Sequence, residues 1–284
     1  MTLLTRPLPA LIAAAALSLA LAPCVAAAPS QAFPDRIHRQ TTLTSTVPEN
    51  GDQNPYAIVV APAFVGAVHK DDVLVTNFNN DGKLQGLGTT IVSCNPATKK
   101  LTTFASLPRS LSGCPGGVGL TTAMTMLKSG WVIVGSAPSA NGMTGAKGPG
   151  CLVVLDANGK VASIIANDGI NMPWGNMATR DDGDSATIFV SNTGFGVGSP
   201  DGDPRVVNQQ TVVRLNLSIK PGEPPQVTSQ TVVASGEQIK ARWIDPNKTQ
   251  MPPGSGDLFG IAITPEGDDF YFVEDENNTL VRAR

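Results

Sequence analysis

The chain is poor in the residues that most chemistry needs. Among 284 residues there are only two histidines, His38 and His69, and four cysteines. Aromatic residues make up 5% and charged residues 15%. Two histidines outside any repeat position disfavour a zinc- or copper-type centre. They also leave a nucleophilic cysteine or serine short of a base. No Gly-x-Ser-x-Gly elbow is present, so a Ser-His-Asp hydrolase lacks both its turn and a well-placed histidine. There is no basic stripe. With a net charge of −3 and a pI near 5.4, the chain is not a nucleic-acid binder and has no electrostatic anchor for an anionic membrane. Past residue 30 no segment holds a 3.6-residue apolar stripe for three turns, which argues against a helical fold.

Long apolar runs are also missing, except at the N-terminus. Arg6 precedes "LPALIAAAALSLALA", residues 8 to 22, and small residues follow at "CVAAAP". A basic start, a short apolar stretch and small residues make a secretory signal over residues 1–28 with cleavage after Ala27. The run is too short for a comfortable membrane span, so no transmembrane segment is expected in the mature chain. A second reading takes "LAPC", residues 21 to 24, as a lipobox with Cys24 carrying a lipid anchor; Pro23 departs from the small residue that motif wants. Both readings place the mature protein outside the bacterial cytoplasm, secreted or periplasmic.

Ordinary cleavage leaves Cys94, Cys114 and Cys151, an odd number. A disulfide suits the oxidising compartment. Cys94 with Cys114 is the closest pair in sequence, and Cys114 with Cys151 is the competitor.

What is plentiful is glycine (29) and proline (23), a turn-rich mixture with Val, Ile, Thr and Phe between the turns. The segments recur in a fixed order. A first strand reads "NPYAIVVAP" (54–62), "LTTAMTML" (120–127), "MPWGNMAT" (172–179) and "DLFGIAITPEGD" (257–268). A second reads "DVLVTN", "GWVIVGS", "ATIFVSN" and "DFYFVED"; a third reads "TTIVSCNP", "GCLVVLDANG", "QTVVRLNL" and "NTLVRAR". The first three units add a fourth, "KLTTFASL", "KVASIIAND" and "VTSQTVVASG". "DANGK" is an Asn-Gly hairpin signal. A four-stranded antiparallel sheet of this size cannot bury both faces alone, and copies stacked around an axis bury one another. The expected fold is therefore all-β, a β-propeller of four-stranded blades over residues 55–284, with blades near 55–116, 117–168, 169–254 and 255–284. A two-sheet sandwich is the rival.

"PWGNMATRDDGDSATIFVSN" and "LFGIAITPEGDDFYFVEDENNTL" resemble NHL-type repeats. From about Thr41 to Arg284 the chain resembles secreted bacterial NHL, six-bladed propeller proteins of unassigned activity. The resemblance implies a fold, not a reaction. It also implies six blades where four are legible. The fourth stops at its third strand, so the propeller is expected to be C-terminally incomplete, with a ring of four self-closed blades as the alternative. Within the N-terminal extension 29–54, "TTLTSTVP" (41–48) is a lone strand suited to complete the last blade from outside.

In this alignment Asn77, Ser136, Asn192 and the pair Glu274 and Asp275 end the second strands and would gather at one end of the ring. Asn and Asp at such places commonly hydrogen-bond turn backbones. The functional alternative is a ring of oxygen ligands from Asn77, Asn192, Glu274 and Asp275 around Ca²⁺ or a polar ligand. No cofactor is predicted on the first reading, and calcium enters with the second. The primary reading is a binding or scaffold module for an unidentified protein or small polar ligand. The alternative is a metal-assisted, lactonase-like hydrolase, similar by architecture to gluconolactonase-type propellers. The loop 194–209 lacks the EF-hand spacing, "GLGTTI" is no phosphate loop, and the segment 237–256 with Trp243 reads as a surface loop.

Overall fold

A computed structural model describes residues 39–142, 148–194, 211–235, 258–265, 270–274 and 278–283. Residues 1–38, with Cys24 and His38, lie outside the described residues, as do Trp243 and Asp275. The described residues form sixteen strands in four antiparallel four-stranded sheets. The first sheet is β2 (Gln53–Val60), β3 (Val73–Asn79), β4 (Thr90–Asn95) and β5 (Lys100–Ser106). The second is β6 (Leu120–Met126), β7 (Val132–Ser136), β8 (Cys151–Leu155) and β9 (Val161–Ile165). The third is β10 (Ala178–Asp181), β11 (Ser185–Asn192), β12 (Thr211–Ser218) and β13 (Gln226–Ser235). The last joins β14 (Leu258–Ile263), β15 (Phe270–Glu274) and β16 (Thr279–Ala283) to β1 (Gln40–Ser45). The N-terminal strand thus supplies the outer strand of the last sheet, with Gln40 opposite Ala283 and Ser45 opposite Thr279.

Each sheet is a plain meander, and the first strands lie together, β2 packing beside both β6 and β14. Side chains confirm the convergence. Trp174, in the lead-in to β10, meets Tyr56 of β2 with ring centroids 5.7 Å apart and Phe78 of β3 at 5.1 Å. Tyr56 and Phe78 stack at 4.7 Å. First strands at a common centre with sheets radiating from it make a propeller and not a two-layer sandwich.

Three seams carry the core. Leu74 and Ile91 of the first sheet meet Leu120, Val132, Val134 and Val153 of the second. Ile133, Leu152 and Val154 on the far face of the second meet Ile188, Val190, Val213 and Leu215 of the third. Val73, Val75, Val92 and Cys94 on the other face of the first meet Tyr271, Val273 and Leu280 of the last. Residues of β3, β7 and β8 are therefore buried throughout, which is why they read as continuous apolar runs. Among the described residues no such cluster joins the third sheet to the last. In β11 every second residue is buried, Ala186, Ile188, Val190 and Asn192, while Ser185 and Phe189 are exposed.

The pairing of Cys94 with Cys114 is corrected. The disulfide joins Cys114 to Cys151, with Cα atoms 5.3 Å apart, and Cys94 is a buried free thiol. Strand parity decides it. Cys94 faces the last sheet with Val73 and Val92, whereas Cys114 and Cys151 lie in the cluster between the first and second sheets.

Candidate functional site

The second-strand ends occupy equivalent places and perform the same local task. In the first sheet Asn77 Nδ2 donates to the Thr46 carbonyl (3.0 Å) and to Thr90 Oγ1 (3.3 Å). In the second, Ser136 Oγ donates to the Gly117 carbonyl (3.0 Å) and accepts from the Gly119 N–H (3.0 Å). In the third, Asn192 Nδ2 donates to the Gly169 carbonyl and to Thr211 Oγ1, both at 2.9 Å, while its Oδ1 accepts from the Asn171 N–H at 3.1 Å. Thr90 and Thr211 both open the third strand of their sheet. Each side chain thus holds the segment that leads into the first strand of its own sheet. The backbone leaves its ladder there and carries buried polar groups that need partners.

Among the described residues Asn77 and Asn192 share no hydrogen-bond partner: Asn192 is held within its own sheet, whereas Asn77 also reaches Thr46, in the segment that runs from β1 of the last sheet to β2. Glu274 ends β15 with its backbone opposite Thr279. Asp275 is outside the described residues. Among the described residues no group of three His, Cys, Asp or Glu side chains is placed to hold a metal ion. Asn192→Ala leaves a carbonyl, an N–H and a hydroxyl without this partner at a 4% exposed site. The expected cost is about 2–3 kcal/mol, read as a lower denaturant midpoint at unchanged slope.

Two features escaped the sequence. The first is Asp52, 4% exposed, in the turn before β2. Its Oδ2 accepts from the N–H groups of Thr89 (2.8 Å) and Thr90 (3.1 Å) and from their hydroxyls (3.3 and 3.0 Å). Nothing in "ENGDQNP" separates this aspartate from an ordinary turn acid. The second is the aromatic group Tyr56, Phe78 and Trp174, whose members are far apart in sequence and meet only because the first strands converge.

The remaining reactive side chains are committed elsewhere. Burial, assisted by the nearby Asp72 carboxylate, pushes the Cys94 thiol up to about 11, so it is no thiolate at neutral pH. His69 is largely exposed, its Nδ1 3.2 Å from Asp72 Oδ2 and its ring edge-on to Phe64 at 5.0 Å. A cleft of about 350 Å³ beside the disulfide is lined by Pro115, Pro149, Gly150, Asp168 and Ile170 among others.

No protein-family model matches the chain, and no curated protein matches it. Solved structures do. An oxidoreductase from Thermus thermophilus described as a glucose dehydrogenase is 12% identical over 87% of this chain and 99% of its own, with a TM-score of 0.38. An α-L-arabinofuranosidase from Fusarium graminearum is 10% identical over 84% of this chain and 61% of its own, with a TM-score of 0.42. A gluconolactonase from Xanthomonas campestris is 8% identical over 86% and 89%, with a TM-score of 0.32. Likenesses of this strength carry no argument about activity. The fold rests on strand order and on the seams between sheets.

Proposed function

We propose that the protein is an extracytoplasmic β-propeller that serves as a binding or scaffold module. The observation that carries this reading is the outward face of the third sheet. Its inward face packs on the second sheet, while its outward face is polar and bears one exposed aromatic. There Phe189 stands opposite Arg214, and Thr187 stands between Arg180 and Asn216 in register. Thr187 Oγ1 donates to Asn216 Oδ1 (3.0 Å), and Asn216 Nδ2 donates to Ser229 Oγ (2.7 Å), giving a short ladder of amide and hydroxyl groups. At the outer edge Val232 and Val233 of β13 are 51% and 46% exposed. An exposed aromatic beside arginine, amide and hydroxyl groups is the composition of a recognition surface. The leader-like residues 1–28 and the disulfide between Cys114 and Cys151 support an oxidising compartment. The repeat grammar supports an NHL-type relationship.

Phe189→Glu tests the reading. Phe189 is 36% exposed, so the variant should melt within a few degrees of wild type. It should lose retention of cell-envelope material on immobilised full-length protein, whereas Val161→Glu on β9 should not. Equal retention by both variants would remove the third sheet from the reading. Hydrolysis of sugar lactones by the full chain with Ca²⁺, abolished by Asn192→Ala, would replace the reading with the lactonase-like alternative.

A further inference from the structure

We propose that the seam between the first and last sheets holds a hard divalent cation of the calcium class, bound by the Asp52 carboxylate and the side-chain oxygen of Asn77. Asp52 is buried, and among the described residues no Lys, Arg or His side chain lies within ion-pair distance of it. Among the described residues four protein donors reach the Asp52 carboxylate, and all four fall on Oδ2. A buried carboxylate served by neutral donors alone still lacks a counter-charge.

The second observation is independent of Asp52. Asn77 is fully buried, and its Oδ1 has no hydrogen-bond partner. The amide cannot be turned round to repair this, because its nitrogen faces the Thr46 carbonyl, which accepts only. Asn77 stands one hydroxyl away from the carboxylate: its Nδ2 donates to Thr90 Oγ1, which donates to Asp52 Oδ2. Two neighbours repeat the pattern. Asn54 Oδ1 and Asn79 Oδ1 are also buried acceptors without a donor. The register of β2 on β3 places Gln53 opposite Asn79 and Pro55 opposite Asn77, and the Asn54 N–H donates to the Asn278 side-chain oxygen beside β16.

The buried side-chain atoms without a partner on Asn54, Asn77 and Asn79 are all oxygens. One water donates two hydrogens and cannot serve every acceptor, whereas Ca²⁺ takes six to eight oxygen ligands from carboxylate, amide carbonyl and water. Asn192, the equivalent of Asn77 in the third sheet, has its oxygen occupied by the Asn171 N–H. Among the described residues the buried aspartates are Asp52 and Asp72, so the pairing of a buried carboxylate with a strand-end asparagine does not extend to the third sheet. The proposed site also ties the sheets together. Thr46 follows β1, its N–H and hydroxyl both donate to the Asn278 carbonyl beside β16, and the Asn278 side-chain oxygen accepts from the Asn54 N–H.

The test is thermal melting of the full chain, stripped with chelator and then titrated with CaCl₂, alongside calorimetric Ca²⁺ titration. Wild type should gain roughly 5–10 °C at a hundredfold excess over its dissociation constant. Asp52→Asn should lose the gain, and Asn192→Ala should keep it although its baseline melting temperature is lower. Asn54→Asp keeps a side chain suited to the φ of 66° at that position and adds a carboxylate oxygen. It should bind Ca²⁺ about tenfold more tightly, and it gives an answer even if Asp52→Asn does not fold. No Ca²⁺ response in wild type means that waters alone fill the seam, and this overturns the proposal. So does a response unchanged in both Asp52→Asn and Asn54→Asp, or one lost equally in Asn192→Ala. Binding by the third-sheet face stands or falls separately, through Phe189.

Discussion

Reducing the bond between Cys114 and Cys151 is expected to lower stability by about 4 kcal/mol, the chain-entropy value for a loop closed across a sequence separation of 37. For a domain of this size that corresponds to a fall of roughly 10 °C in melting temperature. The bridge fastens the loop before β6 to the first residue of β8, and both half-cystines lie inside the cluster that joins the first and second sheets. Gly150 permits the approach. At φ +71° it takes a conformation that L side chains rarely adopt, and a Cβ there would run into the Ser136 carbonyl. The double variant Cys114→Ala, Cys151→Ala should melt like reduced wild type and be indifferent to dithiothreitol. Cys94→Ala should keep the reductant response in full, and native protein should leave Cys94 unlabelled by thiol reagents. A non-reducing peptide map with Cys94 in a cross-link would overturn the assignment.

The same cysteines show how much of the fold was legible. Strand order was readable because each unit repeats one grammar of turn and apolar run, and β4 and β8 announce burial on both faces with "TIVSCN" and "CLVVL". Which face a residue takes depends on parity and on the neighbouring sheet, and neither is local. Ile91 and Cys94 are three residues apart and point to different seams. Proximity in sequence therefore chose the wrong partner for Cys114.

The one-sided third sheet was present in the sequence as alternation. In "ATIFVSN" and "TVVRLNL" the buried Ala186, Ile188, Val190, Val213, Leu215 and Leu217 alternate with Thr187, Phe189, Ser191, Val212, Arg214 and Asn216, four of which are polar. Its period of two is as clear a signal as the apolar runs. Strand-end equivalence of Asn77, Ser136 and Asn192 was also visible, because all three follow the same run. Their hydrogen bonds were not, since the partners Thr46, Gly117, Gly119, Gly169 and Asn171 lie in irregular segments without any motif. Asp52 was hidden for the same reason: its partners Thr89 and Thr90 are 37 and 38 residues away.

Deleting residues 39–47 should have the largest effect of all. β1 contributes five in-register pairs to β16, with a bulge between Thr42 and Thr44, and Leu43 packs against the cluster of Tyr271, Val273 and Leu280. Losing a ladder of this length at about 1 kcal/mol per hydrogen bond, with the apolar contact in addition, removes on the order of 5 kcal/mol or more. That is a large share of the stability of an ordinary domain. The deletion also takes Thr46, stripping Asn77 of a carbonyl acceptor and Asn278 of two donors. It exposes the edge of β16, where Leu280 and Val281 are buried in the intact chain, and such an edge invites pairing between molecules. The expected outcome is an insoluble product, or a soluble one that melts more than 10 °C below wild type. A synthetic peptide spanning residues 39–50 supplied in trans should restore much of the lost melting temperature, because the missing piece is one strand with its own register. A peptide with the same composition in scrambled order should not. If the deletion variant melts like wild type, β1 is not part of the last sheet, and the seam that Asn77, Thr46 and Asn278 form loses its basis.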